Sequence, residues 1–360
     1  MCHGRLALGF LALSGLALAC ARVSPSEPLP AGPPALSGGT DGVGPVPARR
    51  VLGAAWERAL TRTQFPPRDG HAAVVFEDRL WLLGGWGTGP LADVWSSADG
   101  LEWREELREA PWPARRGHAA AVFAGKMWIF GGSLGADQAG DVWASPDGRS
   151  WERITAQAPW GPRNEHAVVV YRDRLFLLGG WSGGNRCDVW SSADGKAWRR
   201  EVAEAPWAGR NSLAAASFRG RLWVLGGWGL RSDGREGNLG DAWSSTDGAT
   251  WQAAAGQPAW APRNGHTATV FRDRLWLLGG WADRGGGSGQ VLEGNVNDVW
   301  STADGLAWGP VTSRASWLPR NGHTAAVFRD QLWVLAGWSH NIGGTSINDL
   351  WHTLGPEGGR

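Results

Sequence analysis

The sequence predicts an all-β fold, a closed ring of six blades known as a β-propeller, and three observations lead to it. One block recurs six times between Trp56 and Trp351. Within a block a Trp precedes an Arg by twelve residues, and a glycine pair starts sixteen residues after the Arg. A repeat of this length is typical of solenoids and propellers. Short apolar and β-branched runs between turn residues favour strands over helices.

The block that starts at Arg263 predicts four strands. Residues 266–271 and 275–278 form two strands around a tight turn, and a glycine pair ends the second. A third strand begins at Asp298, and an Asp-Gly turn leads from it to a fourth strand at Trp308. Asp-Gly suits a hairpin because both residues tolerate positive φ angles. Four antiparallel strands in each copy predict one propeller blade.

The two ends of the repeat predict how the ring closes. The sixth copy stops after its third strand at Trp351, and no hairpin or fourth strand follows. Residues 51–59 carry Trp56 at the fourth-strand distance before Arg68. We therefore expect the N-terminal strand to complete the last blade, which leaves fewer exposed sheet edges.

The recurring positions resemble the kelch repeat. That repeat has an Arg and often a His ahead of the first strand, a Gly-Gly pair ending the second, then an aromatic residue and a Trp. The likeness covers residues 51–354 and implies a six-bladed kelch-type β-propeller. The sequence departs from the pattern at Ala336, which replaces a glycine, and at Leu213, which replaces the fourth His. Trp also stands where kelch repeats often carry Tyr.

Composition excludes several functional classes. The chain has 35 basic and 34 acidic residues, a net charge of +1 and no basic run, so nucleic acid is not an expected partner. Three Cys are too few for a disulfide framework and have no zinc-ligand spacing. We expect no cofactor and no metal.

Residues 1–19 are predicted to be a signal peptide. Arg5 precedes the apolar run 6–19, which is too short for a confident membrane span. The run ends in Ala17-Leu18-Ala19 directly before Cys20. The two alanines fit an ordinary signal-peptidase site, whereas Cys20 resembles the lipidated residue of a bacterial lipobox. We favour the lipoprotein, with Cys20 lipidated.

The remaining segments complete the predicted domain organisation. Residues 20–50 are rich in Pro, Gly and Ser and are expected to be a disordered tether. Residues 51–354 form the propeller, and 355–360 are a C-terminal tail. We expect an exported monomer of the bacterial cell envelope, an outer-membrane lipoprotein that touches the membrane only through its lipid anchor. A secreted or soluble periplasmic protein is the alternative.

One face of the ring is the expected binding face. The loops between strands 2 and 3 and between strands 4 and 1 share it, and the first kind lengthens at residues 228–240, 281–297 and 338–348. A Trp follows the glycine pair in five blades and could stack on a sugar or a peptide, or pack under the loops. These residues are Trp86, Trp181, Trp228, Trp281 and Trp338.

The six recurring arginines also lie on this face, beside the central channel. They could form a cationic funnel for an anionic ligand. Because every blade repeats them, we favour a structural role in which each Arg caps carbonyls or pairs with a recurring Asp. The arginines are Arg68, Arg115, Arg163, Arg210, Arg263 and Arg320, and the aspartates are Asp93, Asp141, Asp188, Asp241, Asp298 and Asp349. The histidines at 71, 118, 166, 266 and 323 recur in the same way.

Positions that break the repeat are stronger site candidates. Two residues after the Arg, Glu165 and Ser212 replace glycine, and Leu213 follows. Because blades 3 and 4 are neighbours, we expect these residues together at the channel mouth, beside the loops of blades 4 and 5. Sequence drift in a tolerant repeat is the alternative.

Two functions compete. The favoured one is a surface- or periplasm-displayed module that binds a protein, a peptide or a glycan. The other is a sugar epimerase or mutarotase, which some periplasmic kelch propellers resemble. There Glu165 would be the acid/base and Arg163 or Arg210 the cation near the ring oxygen. A purely structural envelope lipoprotein is a third hypothesis. The single tyrosine, Tyr171, disfavours sialidase-like and galactose-oxidase-like chemistry.

Overall fold

The computed structural model describes residues 55–256, 258–285 and 291–354. The predicted signal peptide, Cys20, the tether 20–50 and the tail 355–360 lie outside the described residues. Strands β1–β26 form six antiparallel sheets, and one 3-10 helix spans His340–Ile342. Within the described ranges, no helix has the length and apolar character to cross a membrane.

The first three blades are four-stranded sheets in chain order. Blade 1 contains β2 (Ala72–Phe76), β3 (Arg79–Trp86), β4 (Pro90–Ser97) and β5 (Trp103–Leu107). Blade 2 contains β6 (Ala119–Phe123), β7 (Lys126–Ser133), β8 (Gln138–Ser145) and β9 (Glu152–Thr155). Blade 3 contains β10 (Ala167–Tyr171), β11 (Arg174–Leu178), β12 (Val189–Ser192) and β13 (Arg199–Val202).

Blades 4 and 5 each gain a short extra strand from the preceding loop. Blade 4 contains β14 (Arg210–Asn211), β15 (Ala214–Phe218), β16 (Arg221–Leu230), β17 (Glu236–Ser245) and β18 (Trp251–Ala253). Blade 5 contains β19 (Arg263–Asn264), β20 (Thr267–Phe271), β21 (Arg274–Gly285), β22 (Val291–Thr302) and β23 (Trp308–Thr312). Blade 6 contains β24 (Thr324–Phe328), β25 (Gln331–Ser339), β26 (Thr345–Thr353) and β1 (Trp56–Leu60).

The N-terminal strand closes the ring, as the sequence predicts. β1 pairs antiparallel with β26, with Trp56 opposite Thr353 and Arg58 opposite Trp351. Trp56 is buried, and its indole meets that of Trp317 edge to face at 6.0 Å. The last blade therefore has four strands, one of which comes from the other end of the domain.

Neighbouring blades interlock through a Trp and the glycine of an Asp-Gly turn. Trp81 of β3 is buried, and a Cβ placed on Gly148 of the next blade would lie 2.1 Å from its ring. The same approach joins Gly195 to Trp128 and Gly305 to Trp223. Glycine is thus required at the turn for close packing as well as for its positive φ.

The two positions of the glycine pair that ends each second strand differ in their backbone φ angle. The first position has a φ near that of a left-handed residue, 53° at Gly84, and Ala336 adopts it with a φ of 52°. The second has a φ of 107° at Gly85 and 114° at Gly337, a region in which side chains are strained. This difference explains why the repeat tolerates alanine at the first position of blade 6 and keeps glycine at the second.

The long loops of blades 4 and 5 are extended β-hairpins rather than irregular loops. β16 and β17 stay paired out to Leu230 and Glu236, and β21 and β22 stay paired out to Gly285 and Val291. The two hairpins also contact each other, because Asn238 Nδ2 donates a 2.7 Å hydrogen bond to Asp283 Oδ1. The lengthened loops therefore stiffen this part of the face.

Trp56→Ala should unfold the ring more readily because it removes a buried side chain from the closing strand. The expected loss in the free energy of unfolding is about 3–5 kcal/mol, measured by urea denaturation. The control is Glu57→Ala, since Glu57 lies on the same strand and is exposed. Its expected effect is within about 0.5 kcal/mol. Equal, small losses for both variants would contradict closure by β1.

Candidate functional site

Each recurring Arg is buried in an ion pair within its own blade. Arg115 is 0% exposed, and its Nη1 and Nη2 donate to both carboxylate oxygens of Asp141 at 2.7 and 2.9 Å. Nη1 also donates to the Gly131 carbonyl at 2.8 Å, and Trp143 Nε1 donates to the same carboxylate. Burial alone would raise the pKa of Asp141, but the Arg115 hydrogen bonds and charge hold it below its ordinary value.

The same pairing recurs in the other five blades. The pairs are Arg68–Asp93, Arg163–Asp188, Arg210–Asp241, Arg263–Asp298 and Arg320–Asp349, with Nη1–Oδ1 distances of 2.6 to 2.8 Å. All six arginines are 2% exposed or less. Their guanidiniums therefore bind the scaffold, and the alternative of a cationic funnel for a ligand is not supported.

Backbone hydrogen bonds join five of these arginines to the preceding blade: Arg68, Arg115, Arg163, Arg210 and Arg320. The Arg115 N–H donates to the Leu91 carbonyl of blade 1 at 2.9 Å, and the Arg115 carbonyl accepts from Gly85 at 2.9 Å. Arg320 and Arg68 are held in the same way by blades 5 and 6. Because the side chain bonds one blade and the backbone bonds the other, each of these five arginines joins two blades.

Two residues after each Arg, six peptide groups form a closed hydrogen-bonded ring around the channel. The N–H of each ring residue donates to the carbonyl of the ring residue one blade earlier, over 2.6 to 3.0 Å. All six have positive φ, between 49° and 59°. We call them the peptide ring: Gly70, Gly117, Glu165, Ser212, Gly265 and Gly322. Their sequence spacing showed where they recur, but not that they bond to one another.

Glu165 and Ser212 are neighbours in the peptide ring, as expected from blades 3 and 4. Ser212 Oγ donates to Glu165 Oε2 and lies 2.8 Å from Asn211 Oδ1. Glu165 is exposed, whereas Leu213 is buried in the core beneath the ring. Left-handed φ values cost a non-glycine residue about 1–2 kcal/mol, so these two side chains occupy strained positions that four blades give to glycine.

A cavity of about 910 Å³ opens at the channel mouth on the predicted binding face. All six ring residues line it, together with Trp86 and Trp338 and the polar residues Asp69, Arg116 and Ser346. Its rim comes mainly from blades 1 and 6. The hairpins of blades 4 and 5 do not line the cavity themselves, but Asn238 and Asn295 of these hairpins bond the lining residues Asn264 and Asn321.

The five Trp residues that follow the glycine pairs lie at this face with unequal exposure. Trp181 is 37% exposed, and the other four are partly buried. Trp281 Nε1 donates to Glu293 at 2.9 Å, and its ring packs against Trp338 and His340. Of the five, Trp86 and Trp338 line the cavity.

The position directly after each Arg also breaks the repeat, and the sequence reading missed it. Four blades carry an asparagine there, whereas blade 1 has Asp69 and blade 2 has Arg116. Ser346 Oγ donates to Asp69 Oδ2 at 2.7 Å, and Arg116 stacks over Trp86 with 4.7 Å between Cζ and the ring centroid. Burial raises the pKa of Asp69, and the Ser346 hydrogen bond and the charge of Arg116 offset this only in part.

Five histidines lie directly beneath the peptide ring: His71, His118, His166, His266 and His323. All are buried. Burial, reinforced by the charge of the adjacent Arg, lowers the pKa of each, to about 3 for His118 and His323. In the part of the chain that the structure describes, no group of three or more His, Cys, Asp or Glu side chains is placed to hold a metal ion.

Asp141→Asn should destabilise the domain by about 3–5 kcal/mol, because it leaves the charge of Arg115 buried without its counter-ion. The matched control is Asp330→Asn, which breaks the surface ion pair with Arg272, where the Asp330 side chain is 71% exposed. A surface pair is worth about 0–1 kcal/mol. Urea denaturation measures both, and equal effects would contradict the structural role of the buried pair.

Acid should destabilise the domain between about pH 6.5 and pH 3. The folded histidines stay neutral in this window while the unfolded chain takes up protons, so stability is full above pH 6.5 and falls as the pH drops. Each histidine contributes a slope of about 1.4 kcal/mol per pH unit. His266→Leu, which copies Leu213 of the neighbouring blade, should flatten the dependence, and Leu213→His should steepen it. Urea midpoints at pH 5 and 7 that are unchanged by both would contradict this.

Comparisons with known proteins support the repeat type. A family model described as the KLHDC2/KLHL20/DRC7 Kelch-repeats domain matches residues 52–227. The solved structure of YjhT is similar to the chain with a TM-score of 0.65 and 16% sequence identity, over 81% of this chain and 96% of that one. Such an identity concerns the fold alone, and no curated protein matches the chain. The protein is a six-bladed β-propeller whose N-terminal strand completes the last blade, and its residues 52–227 match a kelch-repeat model.

Proposed function

We propose that the chain is a binding module, displayed in the periplasm or on the cell surface, that takes a peptide segment of a protein or a glycan at the channel mouth. One observation carries this proposal. The mouth holds a cavity of about 910 Å³ around the peptide ring, where Glu165 and Ser212 replace glycine in an otherwise repeated scaffold. Ligand sites commonly occupy about 300–1,000 Å³.

The chemistry of the lining supports a polar ligand. The cavity combines the indoles of Trp86 and Trp338 with the charged groups of Asp69, Arg116 and Glu165. Aromatic faces can pack against a sugar ring or an apolar side chain, and the charged groups can bond hydroxyls or peptide groups. The binding residues of the proposal are therefore these five and Ser212, and not the six buried arginines.

The epimerase or mutarotase hypothesis needs a carboxylate, Glu165, which lines the cavity, and a cation from Arg163 or Arg210, which are both buried. Arg163 Nη1 and Nη2 donate to Asp188, and Arg210 Nη1 and Nη2 donate to Asp241. Both arginines are buried, so neither guanidinium is presented to a sugar beside Glu165. We therefore propose binding as the function of the cavity, with Arg163 and Arg210 as parts of the scaffold.

The double variant Glu165→Gly/Ser212→Gly should abolish or weaken ligand binding and leave the fold intact, because glycine already occupies four of the six ring positions. The domain would first be screened on a glycan array and a peptide library. A ligand found there should bind the double variant at least about tenfold more weakly, the loss expected from removing a charged hydrogen bond, as measured by calorimetry.

A variant of the opposite face serves as the control. Leu306 lies in an Asp-Gly turn between third and fourth strands and is 48% exposed, so Leu306→Ser should leave both stability and binding unchanged. Full binding by the double variant, together with loss of binding by Leu306→Ser, would place the site on the wrong face for this proposal.

A further inference from the structure

Side-chain hydrogen bonds lock neighbouring blades together above the peptide ring. At four junctions the residue after the Arg bonds the residue that stands opposite the glycine-pair Trp in the preceding blade. Nδ2–Oδ1 distances are 2.6 Å for Asn211–Asn185, 2.6 Å for Asn264–Asn238 and 3.2 Å for Asn295–Asn321. Ser346 and Asp69 form the equivalent bond between blades 6 and 1 at 2.7 Å. Four of the six junctions thus share one device.

Gln138 makes a different lock at the junction of blades 2 and 3. Its side-chain amide lies 3.2 Å from the carbonyl of Pro162 and 2.9 Å from that of Trp181, to which it donates. This lock uses backbone acceptors in place of a side chain, so the fifth junction is also held by a polar contact from the hairpin.

The lock is missing at the junction of blades 1 and 2. Pro90 stands opposite Trp86, and its side chain has neither a donor nor an acceptor. Arg116 occupies the position that would bond it, and its guanidinium lies over the Trp86 ring at 4.7 Å. Within the described residues, Arg116 makes no ion pair or side-chain hydrogen bond. Because Pro90 and Arg116 stand where the other junctions have a hydrogen-bonded pair, the Arg116 guanidinium is not used to hold the two blades together.

Arg116 has a fixed backbone and lies at the ligand cavity. Arg116 is exposed and lines the cavity at the mouth. Its backbone is fixed by two hydrogen bonds with Ser133, at 3.0 and 2.8 Å. Stacking on an indole orients the guanidinium plane and leaves its N–H edges free to bond a ligand. The two acids of the cavity already accept hydrogen bonds, Asp69 from Ser346 and Glu165 from Ser212.

We propose that Arg116, seated on Trp86, is a carboxylate-binding subsite of the channel mouth. This inference rests on the proposed function and names the chemistry that its ligand must carry. A guanidinium matches the planar fork of a carboxylate with two parallel hydrogen bonds. The nearby Asp69 and Glu165 disfavour a doubly charged phosphate, since both acids line the same cavity as the single cation. The carboxylate can belong to an acidic sugar or to a peptide.

Two matched pairs of probes test the subsite and distinguish these sources. Glucuronate is compared with glucose, and acetyl-alanyl-alanine is compared with its amide. The readout is the Nε–H signal of Arg116 in NMR spectra of ¹⁵N-labelled domain, identified by its absence in Arg116→Lys. In at least one pair the acid should shift this signal saturably and bind about tenfold or more tightly than its neutral partner. The pair that responds identifies the source.

The variant Pro90→Asn/Arg116→Asn provides the matched control. It copies the lock formed by Asn238 and Asn264, so it should fold with wild-type or higher stability and lose the preference for the acid. Equal binding of acid and neutral probes, an acid preference that survives in this variant, or no shift with any acid would each overturn the subsite. Binding of neutral probes that shifts the Glu165 and Ser212 amides would leave the proposed function standing without the subsite.

Discussion

The buried ion pair between the recurring Arg and Asp is the interaction on which the rest of the propeller depends. Arg115 shows why, since its guanidinium donates both to Asp141 of β8 and to the Gly131 carbonyl of β7 and so joins these two strands. Its backbone, in contrast, is bonded to Leu91 and Gly85 of the preceding blade. Burying two charges costs several kcal/mol of desolvation, about as much as their attraction returns. The ion pair therefore fixes the relative position of the strands more than it adds to the net free energy of unfolding.

That position sets the geometry of the channel mouth. With every Arg fixed, the peptides two residues later meet in a hydrogen-bonded ring, and the neutral histidines lie directly beneath it. The ring favours glycine because its φ values are left-handed. Glu165 and Ser212 adopt the same left-handed φ although they carry side chains, so their backbone is strained. Strained backbone that persists at one place in a rigid scaffold is commonly found at functional sites.

Much of the fold was predictable because its determinants are local and repeated. Short apolar and β-branched runs, the Asp-Gly turns and the spacing of Trp56 before Arg68 predicted the blades and the closure correctly. The spacing also predicted that Glu165 and Ser212 would meet. The regular recurrence of Arg and Asp also favoured the structural pairing that the structure shows, although an Arg that faces the channel would leave the same pattern in the sequence.

Other parts of the site depend on contacts between blades that spacing does not reveal. The hairpins of blades 4 and 5 have strand partners whose register is visible only in three dimensions, so their length suggested loops. Arg116 had a sequence signal, because it interrupts a series of asparagines. The role of Arg116 became clear only from the structure, which places Pro90 of another blade where the hydrogen-bond partner would stand.

The central claim is that the repeated residues build the ring and that ligand is recognised where the repeat fails. A crystal structure of the domain with a ligand bound tests it most directly. The account predicts ligand in the cavity at the channel mouth, in contact with Glu165, Ser212 or Arg116, with all six Arg–Asp pairs intact. A ligand bound to one of the six buried guanidiniums, with its Asp displaced, would contradict the account.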